Sequence, residues 1–173
     1  MPPIAEAGVS AIPNPLINIV IQGRHDTYPK RLGMTRVPEM LKAGIRVGFG
    51  PDCVLDPWYP LGTADMLDVA FMGLHVAQMT SPADMAHCFD MVTKVNAKIM
   101  GLDHLGLAVG KRASLVVLDA DNTVEALRLR AERLCVVSKG KVVAERPRRD
   151  TKLALPGRPG SVNRRHHTGK AGG

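Results

Sequence analysis

A repeated pattern of helix, glycine and strand constrains the fold of this chain more than any other feature. Residues 5–12, AEAGVSAI, resemble residues 41–48, LKAGIRVG. In both segments a helix end meets a glycine that suits the left-handed cap conformation, and β-branched residues then favour an extended strand. The separation of Gly8 from Gly44 suits one strand–loop–helix unit, with residues 34–43 as its helix. The repeat therefore predicts two successive α/β units.

Two longer helices are predicted after the second unit. Residues 63–79 have Asp65 and Asp68 in their opening turns and apolar residues at three- and four-residue spacings, the pattern of an amphipathic helix with a complemented dipole. Residues 81–100 begin with Ser81 as an N-cap and a proline at the first helical position, and they stop at a glycine. We expect one continuous helix over each segment.

The residue pattern changes beyond residue 111. Residues 114–119 predict a buried strand, and residues 135–144 predict two strands joined by a tight turn. A short helix over residues 124–130, capped by Asn122, links them. We therefore expect an α/β domain over residues 1–111 and a β-rich segment over residues 112–145.

The positive charge of the chain is confined to its last residues. Of 23 Lys and Arg residues, eight lie in residues 146–173, against one of the 16 acidic residues, so the rest of the chain is neutral. The segment is rich in Pro and Gly and lacks aromatic residues, a composition that predicts a disordered basic tail. Such a tail binds nucleic acid only non-specifically, and a solvated extension without a partner is the simpler interpretation.

The cysteine pattern and hydropathy bear on the compartment. Cys53, Cys88 and Cys135 have no CxxC spacing, and residues 1–4 contain neither a basic segment nor an apolar signal core. No apolar run approaches the ~18 residues that a membrane span needs. These features predict a reduced, soluble, cytoplasmic protein with no membrane partner.

Residues 48–62, GFGPDCVLDPWYPLG, are the strongest candidate for a functional site. Residues 45–49 predict a short buried strand, so Asp52 would lie just beyond its C-terminal end. Catalytic and ligand-binding residues gather at that end of parallel strands. The aromatic, proline-rich loop that follows would form one wall of such a site.

Several motifs resemble the cytosine deaminases of the amidohydrolase superfamily, and the resemblance extends over residues 4–144. The motifs are NPLINI at 14–19, QGRHDTYPKR at 22–31, FGPD at 49–52, DPWYPLGTA at 56–64 and, for the superfamily as a whole, GKRASLVVLD at 110–119. The resemblance implies an α/β fold, the C-terminal part of a metal-dependent (β/α)8 barrel with about strands 7 and 8 and their helices, followed by part of a small β-sandwich.

The same resemblance implies a chemistry. These enzymes bind iron or zinc and use metal-bound hydroxide to convert cytosine, or a related cyclic amidine base, to the deaminated base and ammonia. Asp52 matches the acid that ends the eighth strand, a metal ligand that also moves a proton. Trp58 matches an aromatic residue that helps close the base-binding pocket. The structural alternatives are a helix cap for Asp52 and a core residue for Trp58.

The sequence departs from this family at Cys53. Its position corresponds to a second acid that contacts the substrate base in the best-known relatives, so Cys53 is a candidate substrate-binding residue. A thiol is a poor replacement for a carboxylate that accepts from a ring nitrogen, which leaves a triazine-like base open as a substrate. A packing thiol, a soft metal ligand and a nucleophile are the other interpretations of Cys53.

The family's metal-binding histidines and its catalytic glutamate have no counterparts in this sequence. Helices or connectors are predicted to carry His75, His87 and His104, and the tail contains His166 and His167. The remaining histidine, His25, is interpreted as a surface residue of a loop near the mouth of the barrel. Because catalytic zinc sites generally have three protein ligands, we do not expect the isolated chain to bind the metal or to be active.

Three hypotheses therefore stay open. The chain is part of a pyrimidine-metabolising deaminase that needs an N-terminal half or self-association to complete the barrel. Alternatively, it is a noncatalytic remnant or interaction protein. The third hypothesis, a nucleic-acid binder acting through its tail, is the least favoured.

Overall fold

The structure is a computed structural model that describes residues 1–162. Seven helices and five strands follow in chain order within that range. They are α1 (Pro2–Glu6), α2 (Pro15–Ile21), α3 (Val37–Lys42), α4 (Met66–Val76), α5 (Pro82–Met91), α6 (Lys94–Ile99), β1 (Leu115–Leu118), α7 (Thr123–Leu129), β2 (Arg133–Ser138), β3 (Lys141–Glu145), β4 (Thr151–Lys152) and β5 (Ser161–Val162).

The two repeated units lie side by side with their extended segments parallel. Ala11 pairs with Val47, the Ala11 amide donates to the Arg46 carbonyl at 2.9 Å, and the Gly48 amide donates to the Ala11 carbonyl at 2.9 Å. Gly8 and Gly44 follow α1 and α3 with φ values of +65° and +76°, which confirms the predicted left-handed caps.

The pairing is shorter than the predicted strand over residues 45–49. It consists of one parallel bridge and a further hydrogen bond of 3.0 Å from the Gly50 amide to the Pro13 carbonyl. Pro13 and Pro51 lack amide hydrogens, so the ladder cannot continue through them. Residues 45–50 are nevertheless extended into the core, where Val47 and Phe49 are fully buried.

The single helix predicted over residues 81–100 is wrong, because the chain turns between α5 and α6. Thr93 lies outside helical geometry, with φ −127° and ψ −100°. Its hydroxyl donates to the Phe89 carbonyl at 2.8 Å, in competition with the backbone ladder of the helix. Val92 and Thr93 are both β-branched, which lowers the cost of leaving the helix there.

The helices predicted over residues 34–43 and 63–79 are confirmed with shorter bounds, and the helix predicted over residues 124–130 is confirmed with a shift of one residue. Asp65 caps α4, because its carboxylate accepts from the Leu67 amide at 2.8 Å, and Ser81 caps α5 through the Asp84 amide at 3.2 Å. Asn122 caps α7 through the Glu125 amide at 2.9 Å. Each cap satisfies a backbone donor that has no partner inside its helix.

The β-rich segment forms an antiparallel sheet in the order β1-β2-β3. Lys139 and Gly140 both have positive φ between β2 and β3, as a two-residue hairpin turn requires. Helix α7 packs against α4 and α5, and an ion pair between Arg133 and Asp65 also joins this segment to the α/β part. The division at residues 111 and 112 stays a prediction.

The disorder predicted from Arg146 onward is not confirmed for residues 146–162. Arg146 pairs with Glu132 at 3.4 Å and Arg148 with Asp119 at 3.0 Å, and β4 pairs with β5 in antiparallel fashion. These acids lie beside the β-sheet and neutralise part of the tail. The rest of the predicted tail, with His166 and His167, lies outside the described residues.

Within residues 1–162, no helix is both long and apolar enough to cross a membrane.

One core contact can be tested directly. A Cβ atom added at Gly73 of α4 would lie 2.6–2.9 Å from three ring atoms of Phe49, which is fully buried. We expect Gly73→Ala to lower the free energy of unfolding by about 1 kcal/mol in urea denaturation, because overpacking outweighs the better helix propensity of alanine. In a Phe49→Leu background the same change should be neutral or stabilising, and an equal loss in both backgrounds would contradict the contact.

Candidate functional site

The candidate site is the loop over residues 51–64, which connects the buried parallel segment to α4. It begins at the C-terminal end of that segment, where the sequence predicted Asp52. The Cys53 amide donates to the Pro51 carbonyl at 2.9 Å, which closes a three-residue turn around Asp52. Asp52 has φ +60°, the left-handed value of the rarer and strained γ-turn. Such strain at a loop residue with a free carboxylate motivates a functional interpretation.

The side chain of Asp52 is exposed at the start of this loop. It therefore does not serve as a buried structural acid. The structural alternative, a cap for the next helix, does not hold, because Asp65 caps α4. The carboxylate is free to accept a proton or to contact a ligand.

Asp56 organises the loop, and the sequence analysis did not select it. Its Oδ1 accepts from the Trp58 amide at 2.9 Å and from the Tyr59 amide at 3.0 Å. The Cys53 thiol also bonds to this carboxylate, and this bond is the main cause of the lowered pKa of Asp56. Aspartate side chains often accept hydrogen bonds from backbone amides two or three residues later and so close a turn, and a proline after the aspartate favours this turn. This local pattern could have identified Asp56 from the sequence.

The side chain of Cys53 points inward from the loop and packs beneath it. It is 9% exposed and belongs to a small cluster with Ile17 of α2 and Tyr59. Its hydrogen bond to Asp56, together with desolvation and the charges of Asp56 and Asp52, raises the pKa of Cys53 to about 11. The thiol is therefore neutral at physiological pH, which argues against the nucleophile and metal-ligand interpretations.

Trp58 is 69% exposed, so it is not the core residue that was the structural alternative. Leu55 and Leu61 on the same loop are 76% and 69% exposed. The loop thus presents an aromatic and two aliphatic side chains while its backbone is fastened through Asp56. Such a surface suits contact with a planar, weakly polar partner.

The loop with the QGRHDTYPKR motif is fastened by its own charges. Arg31 donates to both carboxylate oxygens of Asp26, at 2.8 and 2.9 Å, and this bond is the main cause of the lowered pKa of Asp26. Lys30 donates to the carbonyls of Arg24 and Asp26 at 3.1 and 3.2 Å. His25 is exposed on this loop, as its surface interpretation predicted.

The described residues do not fit a catalytic metal on their own. In residues 1–162, no three side chains among His, Cys, Asp and Glu are grouped so that they could hold a metal ion. Asp52 supplies one oxygen donor group, whereas catalytic zinc sites generally use three protein ligands.

Comparison with known families gives a match over most of the chain. The model of the amidohydrolase family matches residues 3–144. This range begins within α1 and ends within β3, and it includes the parallel pair, the Asp52 loop and the helices from α2 to α7.

Two curated relatives are about equally similar. The chain is 32% identical over 110 residues to N-isopropylammelide isopropyl amidohydrolase from Pseudomonas sp. strain ADP, covering 63% of this chain and 27% of the relative. It is 32% identical over 142 residues to pterin deaminase from Rhizobium rhizogenes, covering 81% of this chain and 32% of the relative. The chain thus spans about a third of the length of these relatives.

Solved structures give a closer match. The structure of 5-methylcytosine deaminase from Klebsiella pneumoniae liganded with 5-fluorocytosine superposes with a TM-score of 0.83 and 40% identity, over 87% of this chain and 37% of that one. N-isopropylammelide isopropylaminohydrolase from Burkholderia multivorans gives a TM-score of 0.69 and 31% identity, over 83% and 34%. E. coli guanine deaminase, with 21% identity and a TM-score of 0.61, shows the fold alone.

The strain at Asp52 predicts an unusual order of stability. Because glycine adopts positive φ without the clash that a Cβ causes, we expect Asp52→Gly to be more stable than Asp52→Ala by about 1 kcal/mol in urea denaturation. The same pair of changes at Asp103, an exposed acid without positive φ, should show no such advantage for glycine. A more stable Asp52→Ala would show that the turn is not strained.

The bond between Cys53 and Asp56 predicts how the thiol titrates. In a Cys135→Ser background, the alkylation rate of Cys53 should rise with pH toward a midpoint near the pKa of about 11. We expect Asp56→Asn to lower that midpoint toward the ordinary 9.0, because an amide oxygen is a weaker hydrogen-bond acceptor for the thiol than a carboxylate and carries no negative charge. Cys88 should not interfere, since its burial raises its pKa to about 12. An unchanged midpoint in Asp56→Asn would contradict the pairing.

The same raised pKa has a consequence for stability. Because the folded pKa of Cys53 exceeds its ordinary value, the contribution of the thiol is complete below pH 9.0 and is lost as the pH rises through about 11. Because the pKa of Asp56 is lowered, the contribution of its carboxylate is complete above the ordinary pKa of 3.8 and is lost as the pH falls below it.

Proposed function

Because this chain belongs to the amidohydrolase family, we propose that it supplies one wall of the active site of a hydrolytic deaminase that acts on cytosine or a related cyclic amidine base. The observation that carries the proposal is Asp52, an exposed carboxylate held in a strained turn at the C-terminal end of the parallel pair. The chain resembles a deaminase of 5-methylcytosine at 40% identity, which makes 5-methylcytosine and cytosine the first substrates to test.

We assign Asp52 the role of moving a proton. Deamination of an amidine carbon needs a group that removes a proton from the attacking water and delivers one to the departing amine. A carboxylate on a strand-end loop can do both in turn. No shielding group would have to move, because the side chain is exposed.

Trp58 is assigned to the substrate base, whereas the buried Cys53 affects the choice of base through the acceptor that it lacks. The exposed indole of Trp58 offers a face on which a flat heterocycle can stack. The Cys53 thiol is bonded to Asp56, so it does not provide the acceptor that a second carboxylate would provide. This difference favours bases that need no acceptor at that position, and a triazine-like base is a further candidate.

The metal requirement defines what the chain needs from elsewhere. Members of the family typically use a divalent metal, iron or zinc by resemblance, and the described residues alone do not form its site. We propose that the remaining ligands come from outside this sequence, either from another segment of a longer protein or from a second polypeptide. The isolated chain would then be inactive.

The compartment and pathway follow from the same proposal. Cys53, Cys88 and Cys135 are all free thiols in the structure, which suits a reducing compartment. We place the protein in the cytoplasm, in the metabolism of pyrimidine bases. The nucleic-acid alternative loses support from the ion pairs that engage Arg146 and Arg148 with acids of the sheet segment.

A chimera tests the proposal. The segment of the Klebsiella 5-methylcytosine deaminase that matches this chain would be replaced by residues 1–145, and ammonia release from 5-methylcytosine and cytosine would be measured together with metal per chain. We expect deamination that falls about 100-fold or more in Asp52→Asn, the size of effect typical of a lost acid–base group. Asp103→Asn, a change at another exposed acid, should keep the activity within about twofold of the parent chimera.

Metal analysis of the isolated chain separates the hypotheses. After dialysis we expect no metal that depends on Asp52 in the chain alone, since one carboxylate is too weak a site. Stoichiometric metal that is lost in Asp52→Asn would show that the chain assembles its own centre. A folded chimera whose activity is indifferent to Asp52→Asn would instead favour a noncatalytic protein.

A further inference from the structure

Phe49 lies three residues before Asp52. Its backbone amide and carbonyl form hydrogen bonds with residues at the junction of α5 and α6, and not with a neighbouring strand. Its amide donates to the Met91 carbonyl at the end of α5, at 3.2 Å. Its carbonyl accepts from Nδ2 of Asn96 in α6, at 2.8 Å. In a parallel sheet these two groups would point toward a neighbouring strand. In this structure the junction between α5 and α6 takes the place of that strand.

The break between α5 and α6 makes this arrangement possible. A continuous helix would use the Met91 carbonyl in its own ladder, four residues further along. The turn at Thr93 releases that carbonyl, and Asn96 lies in the first turn of the next helix. The junction therefore offers one acceptor and one donor to a single residue of the extended segment.

The other atom of the Asn96 amide packs against the same segment. Oδ1 is buried and has no hydrogen-bond partner among the described residues. A Cβ atom added at Gly48 would lie 1.9 Å from it, so a Cα hydrogen of Gly48 points at this oxygen. A Cα–H group is a weak donor. Because the Phe49 carbonyl can only accept, the amide nitrogen must face it and the oxygen must face Gly48.

The opposite side of the segment is held by the first unit. The Gly50 amide donates to the Pro13 carbonyl at 3.0 Å. A Cβ atom added at Gly50 would lie 2.6 Å from Oδ1 of Asn14. The two glycines around Phe49 are thus each covered by an asparagine amide, and the segment that leads into the candidate site is held between them.

We propose that Asn96 is a positioning residue for the candidate site: by bonding the Phe49 carbonyl and packing on Gly48, it holds Asp52 and Cys53 in their strained turn. The assignment of a catalytic purpose to this turn rests on the proposed function, whereas the positioning itself does not. Asn96 touches neither the substrate nor the reacting atoms, and it acts through Phe49 and the two residues that separate it from Asp52.

The test measures Cys53 and Trp58 in the full chain, without metal or substrate. In a Cys135→Ser background, we expect Asn96→Ala to raise the alkylation rate of Cys53 at pH 8 about fivefold to tenfold, because one lost hydrogen bond raises the population of an open form by such a factor. The fluorescence anisotropy of Trp58, the single tryptophan of the sequence, should fall as the loop loosens. Asn122→Ala, which removes the cap of α7, is the control that lowers stability without touching this segment.

The conservative variant Asn96→Asp should restore the wild-type readouts at low pH, which a general loss of stability would not do. In Asn96→Asp, a protonated carboxyl can still donate to the Phe49 carbonyl, whereas an ionised one repels it. Burial should raise the pKa of this carboxyl, so both readouts should approach wild type at pH 5 and depart from it at pH 8. The wild-type chain should show no such change in Trp58 anisotropy across this range.

Gly48→Ala gives an independent test if Asn96→Ala does not fold, because its methyl group displaces the amide while Asn96 is retained. We expect the same faster alkylation of Cys53 in that variant. Unchanged readouts in the Asn96 variants, or equal changes in Asn122→Ala, would overturn the proposal. Because neither readout involves catalysis, failure of the deaminase chimera would leave this result intact, and failure here would leave the chimera result intact.

Discussion

The structure depends on how the segment over residues 46–50 is held. Its amides and carbonyls bond on one side to residues 11–13 and on the other to the junction of α5 and α6. A buried backbone group without a partner is costly, so a short parallel pair must find its remaining partners elsewhere. Side chains from α4, α5 and α7 then close over Phe49 and complete the core.

Rigidity of this segment explains why a strained residue can follow it. Asp52 adopts a positive φ that costs free energy, and the surrounding bonds must maintain it. The Asp56 carboxylate contributes from the other end of the loop, because it binds two loop amides and the Cys53 thiol. The loop therefore presents Asp52 and Trp58 on a backbone that is fastened at both ends.

Membership of the amidohydrolase family and the structure of the Asp52 loop support the same proposal, namely that the loop forms one wall of an active site. The proteins that it resembles include deaminases of 5-methylcytosine and of a pterin, and the chain spans about a third of their length. Within that share it contains one exposed acid in a strained turn and no grouped set of metal ligands in the described residues. This contrast supports the proposal that the chain supplies one acid of the active site, Asp52, and that the other metal ligands come from outside this sequence.

The sequence by itself determined the two α/β units, the helix caps, the β-rich segment and the placement of Asp52 beyond an extended segment. These features depend on local signals, namely glycine caps, N-cap side chains and apolar periodicity, which act within a few residues of each other. Only the tertiary structure decided the break between α5 and α6, the bonding of Asn96 to Phe49, the role of Asp56 toward Cys53 and the ion pairs of Arg146 and Arg148. These depend on which distant groups meet once the core closes, and residues 47 positions apart leave no local pattern from which their contact could be predicted.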